Sequence, residues 1–246
     1  MPSELPPLAL LAGGKATRMY PLTENIPKSL IPINGEPFLA HQLRLLVAQG
    51  IRDIIICCGH LGKQIADFAG DGSKFGCHIC YSYDGETLLG TGGALRRALP
   101  LLGPSFFVMY GDSYLAVEPE HIWKKFLTSG MPALMTVFRN NSQWEASNIE
   151  MRNGKIVCYD KRAPYPAMQY IDYGLSLMRS EVLAQWPAET PFDLASVLAR
   201  LAAGNKLAAY EVFVRFYEIG SPEGYQQTKR MLLSLRQSLQ NAENIQ

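Results

Sequence analysis

The chain has 246 residues, of which 48% are hydrophobic and 18% charged, so it can bury a sizeable core and is not intrinsically disordered. Its formal net charge of +1, without a block of like charge, excludes the broad basic surface of a nucleic-acid-binding protein. Residues 1–7 lack the pattern of an export signal, and no apolar run is long enough to span a bilayer. We therefore expect a cytoplasmic protein that does not bind membranes.

The first half of the chain alternates between apolar runs and amphipathic segments. The predicted strands cover residues 8–12, 53–58, 77–83 and 106–112, and the predicted helices cover 37–50, 62–69, 91–99 and 119–128. Apolar strands joined by amphipathic helices form a parallel sheet covered on both faces, with ligands at the carboxyl ends of the strands. The loops after residues 12, 83 and 111 are therefore the predicted location of a site.

The second half has a different pattern. Strands are predicted at 133–138 and 170–178, with a hairpin at 148–161 that turns at Asn153-Gly154. The remaining predictions are helices at 180–185 and 193–203, a strand at 207–212, a closing helix at 222–240 and a frayed polar tail at 241–246. The sequence thus predicts an α/β protein with a Rossmann-like, three-layer αβα architecture and a mixed, mostly parallel central sheet. No linker interrupts it, so we expect a single domain over residues 1–246.

The five cysteines offer two interpretations. Cys57 and Cys58 are adjacent, and Cys77 and Cys80 lie two residues apart, so four thiolates could in principle bind zinc. Both pairs fall within predicted strands, where neighbouring side chains alternate between the two faces. Buried, reduced thiols are the favoured interpretation.

The loop after the first predicted strand carries an unusual concentration of glycine and basic residues. Gly13-Gly14 ends the apolar run, and Lys15, Arg18 and Lys28 follow. Glycines allow backbone N–H groups to approach an anion closely. The spacing matches neither GxxxxGK[ST] nor GxGxxG, so an ordinary P-loop and a dinucleotide-binding motif are both excluded.

The segment LAGGKATRMYPLTENIPK, residues 11–28, resembles the signature of the sugar-1-phosphate nucleotidylyltransferases, which reads LAGGxGTRL followed by PLT and PK. Ala16 replaces a glycine of that signature, so its backbone is expected to adapt if a positive φ is needed. Further matches occur in the family's order at residues 90–95 (GTGGAL), 111–113 (GDS), 160–161 (DK) and 218–222 (EIGSP). The resemblance extends over residues 8–230.

The resemblance implies the transfer of a nucleotidyl group from a nucleoside triphosphate to a sugar 1-phosphate, with release of pyrophosphate. The family pattern implies four catalytic residues: Arg18, Lys28, Asp112 and Lys161. A magnesium ion, Mg²⁺, is implied at Asp112 and Glu218, where the family usually has a second aspartate. In this interpretation the basic side chains neutralise two phosphate compounds that repel each other.

The resemblance also implies binding residues for both substrates. The nucleotide is expected to contact Ala12, Gly13, Gly14, Lys15, Thr17, Glu86, Gly90, Thr91, Gly92 and Gly93. The sugar is expected to contact Glu145, Asn148, Asp172 and Gly174. For Lys15 a purely solvated side chain is an equal alternative, and Asp172 could simply end a strand. A carboxylate such as Glu86 could accept hydrogen bonds from guanine.

GTGGAL and the short carboxyl-terminal region are most similar to the guanylyltransferases that act on D-glycero-D-manno-heptose 1-phosphate or mannose 1-phosphate. Uridylyl, thymidylyl or cytidylyl transfer to another sugar 1-phosphate, or to a phosphocholine-like substrate, stays open. A non-catalytic sensor of nucleotide sugars is another alternative, and a nicotinamide dehydrogenase lacks its glycine motif. The oligomeric state is also open, with a homo-oligomer as one alternative.

Overall fold

The computed structural model describes residues 5–243, and their strands and helices alternate through most of the chain. The strands are β1 Leu8–Leu11, β2 Pro32–Ile33, β3 Glu36–Pro37, β4 Asp53–Cys58, β5 His78–Tyr83, β6 Ser105–Tyr110, β7 Ser113–Tyr114, β8 Ala133–Arg139, β9 Ile149–Arg152, β10 Lys155–Tyr159, β11 Tyr170–Arg179, β12 Leu207–Val212 and β13 Tyr217–Glu218. The helices are α1 Phe38–Ala48, α2 Gly62–Ala69, α3 Gly90–Leu102, α4 Pro119–Ser129, α5 Ser180–Ala184, α6 Leu194–Ala203 and α7 Pro222–Glu243.

Nine strands form one mixed sheet. Strands β5, β4, β1 and β6 lie side by side in this order and are parallel. Strand β11 follows β6 in the antiparallel direction, and β8 and β12 continue beyond it. The β9–β10 hairpin joins through the pairing of Tyr170 with Ile149. The prediction of a mixed, mostly parallel sheet is confirmed.

Helices cover both faces of the sheet because its strands are apolar on both sides. In β1, Ala9 faces one apolar cluster, while Leu8 and Leu10 face the other. Helices α3, α5 and α6 contribute to the first cluster, and α1, α2 and α4 contribute to the second. These two clusters make the three-layer αβα architecture that the sequence predicts.

The structure differs from the predicted elements in its last helix and in its shortest strands. Helix α7 continues to Glu243, beyond the predicted end at residue 240. Residues 244–246 of the predicted tail lie outside the described residues. The sequence also did not predict the two-residue strands β2, β3, β7 and β13. Strands β7 and β13 pair Tyr217 with Tyr114 and Glu218 with Ser113.

Helix α7 fixes the segment that precedes it. Ile219 and Leu232 are buried against Ile33 and Phe38 in a small apolar cluster of their own. The hydroxyl of Tyr225 donates a hydrogen bond to the Pro32 carbonyl at 2.9 Å. Strand β13 is therefore held between α7 and the β2–β3 hairpin.

Two further observations concern a membrane-spanning helix and a metal site, and a third concerns the cysteines. Within residues 5–243, none of the helices combines the length and the apolar character needed to cross a membrane. In the same part of the chain, no three His, Cys, Asp or Glu side chains gather in a way that could hold a metal ion. Cys57 and Cys58 are buried free thiols, and burial raises the pKa of Cys58 to about 12.

Candidate active site

Two adjoining cavities open at the carboxyl ends of the parallel strands. The glycine-loop cavity, of about 260 Å³, is lined by residues of the turn after β1 and by Lys28, Asp84, Gly90 and Thr91. The hairpin cavity, of about 400 Å³, is lined by residues from the β8–β9 loop, the β10–β11 loop and the start of β11. Tyr110 and Asp112 line both cavities, so these two residues form a shared wall.

The turn after β1 is built for close backbone approach. A Cβ atom on Gly13 would lie 2.9 Å from the backbone nitrogen of Gly59, so a side chain does not fit there. A Cβ on Gly14 would meet nothing within 4 Å, which leaves the backbone open to the cavity. Ala12 and both glycines line the glycine-loop cavity.

Ala16 adopts the left-handed conformation that is usual for glycine. Its φ is 51° and its ψ is 41°. The Ala16 carbonyl accepts hydrogen bonds from the Thr23 hydroxyl at 2.8 Å and from the Met19 N–H at 3.0 Å. These bonds stabilise the left-handed conformation of Ala16 despite its Cβ atom. The backbone at Ala16 thus adopts a positive φ, in line with the adaptation that the sequence predicts.

The loop places its basic side chains differently. Lys28 lines the glycine-loop cavity, and its Nζ donates to Asp112 Oδ2 at 2.7 Å. Arg18 lines the hairpin cavity, on the other side of Asp112. Lys15 and Thr17 are exposed and do not line either cavity, although the sequence predicted nucleotide contacts for both.

Asp112 and Glu218 face a common space that only a glycine leaves open. A Cβ on Gly220 would lie 2.7 Å from Glu218 Oε2 and 3.0 Å from Asp112 Oδ2. The pairing of β13 with β7 creates this arrangement, and the Ile219 N–H donates to the Asp112 carbonyl at 3.0 Å. Glu218 also accepts from the Ser221 hydroxyl at 2.7 Å. Two carboxylates across a small gap offer oxygen ligands of the type that Mg²⁺ prefers.

Lys161 lines the hairpin cavity, on its side of the shared wall. Its Nζ is 3.3 Å from Asp172 Oδ2 and donates to the Tyr110 hydroxyl at 3.4 Å. Partial burial lowers the pKa of Lys161, but the Asp172 carboxylate and Tyr110 more than compensate, so the net shift raises this pKa above its usual value. The ammonium group therefore stays charged at neutral pH.

The four predicted sugar contacts, Glu145, Asn148, Asp172 and Gly174, all line the hairpin cavity. The register of β11 against β8 shifts between Asp172 and Ser176, and Gly174 in this bulge has a φ of 101°. Such a φ favours glycine. Partial burial raises the pKa of the Glu145 carboxyl, and the nearby Glu218 and Asp112 carboxylates raise it further.

Asp84 is a cavity residue that the sequence reasoning missed. It is 6% exposed, lines the glycine-loop cavity and accepts a hydrogen bond from the Leu89 N–H at 3.0 Å. Glu86, which was predicted to face the base, is exposed and does not line this cavity. The available signal was position, because Asp84 directly follows β5 whereas Glu86 lies farther along the loop.

Gly92 and Gly93 also have a different environment from the one predicted. Their N–H groups donate to the Phe192 carbonyl at 3.0 and 3.3 Å, and a Cβ on Gly92 would clash with the Phe192 ring. These glycines therefore allow α3 to pack closely against the segment before α6, and neither lines the cavity. Gly90 and Thr91, two further residues of the predicted nucleotide contacts, do line the cavity.

The comparisons with known proteins agree with this architecture. Residues 9–147, which are 139 of the 246 residues, match the family model described as nucleotidyl transferase. The chain therefore belongs to the nucleotidyl transferase family.

Particular relatives have different nucleotides in their names. The chain is 28% identical over 248 residues to a UTP–glucose-1-phosphate uridylyltransferase of Synechocystis sp., across 92% of this chain and 63% of that protein. It thus spans less than two thirds of that relative. It is 24% identical over 216 residues to a D-glycero-alpha-D-manno-heptose 1-phosphate guanylyltransferase of Campylobacter jejuni, across 88% of this chain and 95% of that protein. The crystal structure of HddC from Yersinia pseudotuberculosis complexed with GMP-PN has the same fold, with a TM-score of 0.75, 22% identity and coverage of 93% of this chain and 100% of that one.

Proposed function

We propose that the protein transfers a nucleotidyl group from a nucleoside triphosphate to a sugar 1-phosphate and releases pyrophosphate. The observation that carries this proposal is the shared wall of the two cavities. Lys28 pairs with Asp112 on the side of the glycine-loop cavity, and Lys161 contacts Tyr110 on the side of the hairpin cavity. Two anionic substrates, one in each cavity, would therefore meet at a wall with a cationic side chain on either side.

In this reaction a phosphate oxygen of the sugar 1-phosphate forms a bond to the α-phosphorus, and the bond from that phosphorus to the leaving pyrophosphate breaks. The protein contributes chiefly alignment and charge neutralisation. Backbone N–H groups of the turn at Gly13-Gly14 would contact the triphosphate. Lys28 would neutralise the triphosphate oxygens, and Lys161 would hold the sugar phosphate. Arg18, which lines the hairpin cavity beside Asp112, would neutralise phosphate oxygens where the two substrates meet.

Asp112 and Glu218 are the residues that would hold Mg²⁺. When bound, the ion would neutralise charge on the phosphate oxygens. The Lys28 ammonium lies at Asp112 Oδ2, so Lys28 would add positive charge beside this carboxylate. The gap at Gly220 provides the space between the two carboxylates.

Within this activity we infer guanylyl transfer to D-glycero-D-manno-heptose 1-phosphate or mannose 1-phosphate. The support is the buried Asp84 carboxylate in the glycine-loop cavity. Guanine presents an N1–H and an exocyclic amine side by side, and a carboxylate can accept from both. Uracil and thymine present a single N–H between two carbonyl groups. A carboxylate that accepts from this N–H would be repelled by the two neighbouring carbonyl oxygens. The similarity to a heptose 1-phosphate guanylyltransferase over 95% of its length is consistent with this choice.

The test measures pyrophosphate release from GTP, CTP, UTP, dTTP and ATP, each paired with heptose, mannose, glucose and N-acetylhexosamine 1-phosphates. We expect the highest kcat/KM with GTP and heptose or mannose 1-phosphate, and loss of turnover when EDTA removes Mg²⁺. Asp112→Asn is expected to lower kcat by about a hundredfold to a thousandfold. Asp84→Asn is expected to reduce the preference for GTP over UTP by about tenfold or more.

Asp53→Asn is the control, because Asp53 is an exposed carboxylate at the start of β4, at the opposite end of the strand from the cavities. It should retain the activity of the unaltered protein. Turnover led by another nucleotide would overturn the guanylyl assignment alone. Absence of turnover in every combination would overturn the proposed function.

A further inference from the structure

We propose that Asp172 is a positioning residue, which holds Lys161 at the shared wall, and that it does not bind the sugar. This inference rests on the proposed function, because it concerns how Lys161 would present its charge to the sugar phosphate. Asp172 lines the hairpin cavity, which makes a sugar contact plausible from position alone. Its hydrogen bonds point to the other role.

The Asp172 carboxylate is already occupied by the protein. Its side chain is 3% exposed. Oδ2 accepts from the Tyr159 hydroxyl at 3.0 Å and pairs with Lys161 Nζ at 3.3 Å, while Oδ1 accepts from the Gly174 N–H at 3.1 Å. A sugar hydroxyl would have to compete with these bonds inside a nearly inaccessible group.

Lys161 is held from two sides. An ammonium group has three N–H donors and no acceptor. One donor is directed to Asp172 and one to the Tyr110 hydroxyl, which leaves a single donor for a substrate. Two fixed partners restrict the direction of the third donor, so the chain orients the charge before the sugar phosphate binds.

The surroundings of Lys161 support this arrangement. The titratable groups that face it are Asp172 on β11, Tyr110 on β6, Tyr159 on β10 and Glu145 in the β8–β9 loop. Nζ lies 5.1 Å from the centre of the Tyr110 ring and 5.7 Å from that of Tyr159. Asp172 is the one carboxylate in ion-pair contact with Lys161 within residues 5–243.

A double-mutant cycle separates the two roles of Asp172. We expect Asp172→Asn to lower kcat/KM for the sugar 1-phosphate by about tenfold to a hundredfold, and Lys161→Ala to lower it by about a hundredfold to a thousandfold. If Asp172 acts through Lys161, the double variant should be no more than about twofold worse than Lys161→Ala. Losses that multiply would show that Asp172 acts independently of Lys161, and would overturn the inference.

The pH profile gives a second readout that general structural damage would not produce. Without Asp172, partial burial still lowers the pKa of Lys161, but the carboxylate no longer raises it. Asp172→Asn should therefore introduce a decline of kcat/KM at alkaline pH that the unaltered protein lacks. Combining Asp172→Asn with Lys161→Arg should remove this decline, because arginine does not lose its proton in that range. A decline that persists with arginine would contradict the inference.

Arg162→Gln is the matched control. Arg162 neighbours Lys161 in the sequence, but it is exposed and does not line the hairpin cavity. This variant should keep kcat/KM within about twofold of the unaltered protein.

Tyr159→Phe serves if Asp172→Asn does not fold. It removes the hydroxyl that holds Asp172 and should reduce sugar 1-phosphate use only when Lys161 is present. A loss that also appears in the Lys161→Ala background would count against positioning. If the unaltered protein shows no turnover, the proposed function and this inference are both overturned. If the protein is active but the losses in the double variant multiply, this inference alone is overturned.

Discussion

Asp84 lines the glycine-loop cavity, and the burial of its carboxylate affects the stability of the fold. Burial raises the pKa of its carboxyl, although the hydrogen bond from the Leu89 N–H and the charge of Arg97 lower it. A carboxyl group with a raised pKa binds its proton more tightly in the folded than in the unfolded protein. The charged form of Asp84 therefore destabilises the fold at neutral pH. This penalty shrinks as the pH falls from the pKa of the folded state to the lower pKa of the unfolded state.

Asp84→Asn should consequently raise the melting temperature at about pH 7, because an amide carries no charge to desolvate. The gain should shrink at acid pH, where Asp84 is already neutral. Thermal unfolding followed by circular dichroism at both pH values measures the difference, with Asp53→Asn as an exposed control. A lower melting temperature at both pH values would show that the bond to Leu89 outweighs the cost of burial.

Some residues of the candidate site could be predicted from the sequence, and others could not. The loop motif led to Lys28, and the later GDS and DK matches led to Asp112 and Lys161. The structure places Asp112 between the two cavities, with Lys28 in one and Lys161 in the other. The sequence did not distinguish Asp84 from Glu86, because the loop between β5 and α3 has no periodicity that fixes side-chain direction. Gly92 was taken for a ligand contact, since a glycine required by packing and one required by a ligand look alike in a sequence.

At the scale of elements, the regular strands and helices were predictable and the shortest strands were not. The apolar strands and amphipathic helices are recognised by periods of about 2 and 3.6 residues. A two-residue strand such as β7 or β13 contains no period. The pairing of β13 with β7 is nevertheless what brings Glu218 beside Asp112, so the approach of these carboxylates could not be derived from the pattern.

The close approach of these elements makes Gly220 a sensitive position. A methyl group there would lie within 3.0 Å of both carboxylates, so Gly220→Ala should displace them. We expect kcat to fall by about a hundredfold and the Mg²⁺ concentration needed for half-maximal activity to rise. The measurement is a magnesium titration of pyrophosphate release.

Gly204→Ala provides the comparison for this substitution. Its φ is negative, and a Cβ there would meet its nearest neighbour, the Arg200 carbonyl, at 3.4 Å. This variant should titrate with Mg²⁺ like the unaltered protein. An unchanged magnesium titration for Gly220→Ala would mean that the two carboxylates do not share an ion.

At the scale of the whole molecule, α7 links the end of the chain to its beginning. Leu232 is 6% exposed and packs with Ile33, Phe38 and Ile219. Leu232→Ala should lower the free energy of unfolding by about 2 to 4 kcal/mol, because it removes buried apolar surface and leaves a cavity. Urea unfolding, followed by both circular dichroism and tryptophan fluorescence, measures this change.

Leu235→Ala should change the free energy of unfolding by less than about 0.5 kcal/mol, since Leu235 is 45% exposed. The single domain stays a prediction, and the same experiment examines it. If residues 5–243 unfold as one unit, Leu232→Ala should move both signals together. Separate transitions, with only one of them moved, would instead indicate two units.

Strand β11 runs against its neighbour β6, so its first residues, and not its last, lie beside the end of β6. The proposed sugar contacts therefore belong to the stretch 145–174, whereas the proposed base contacts belong to 84–91. The proposed contacts to the two substrates thus lie in separate segments of the chain. Exchanging the later segment between relatives should alter the accepted sugar and leave the preferred base unchanged.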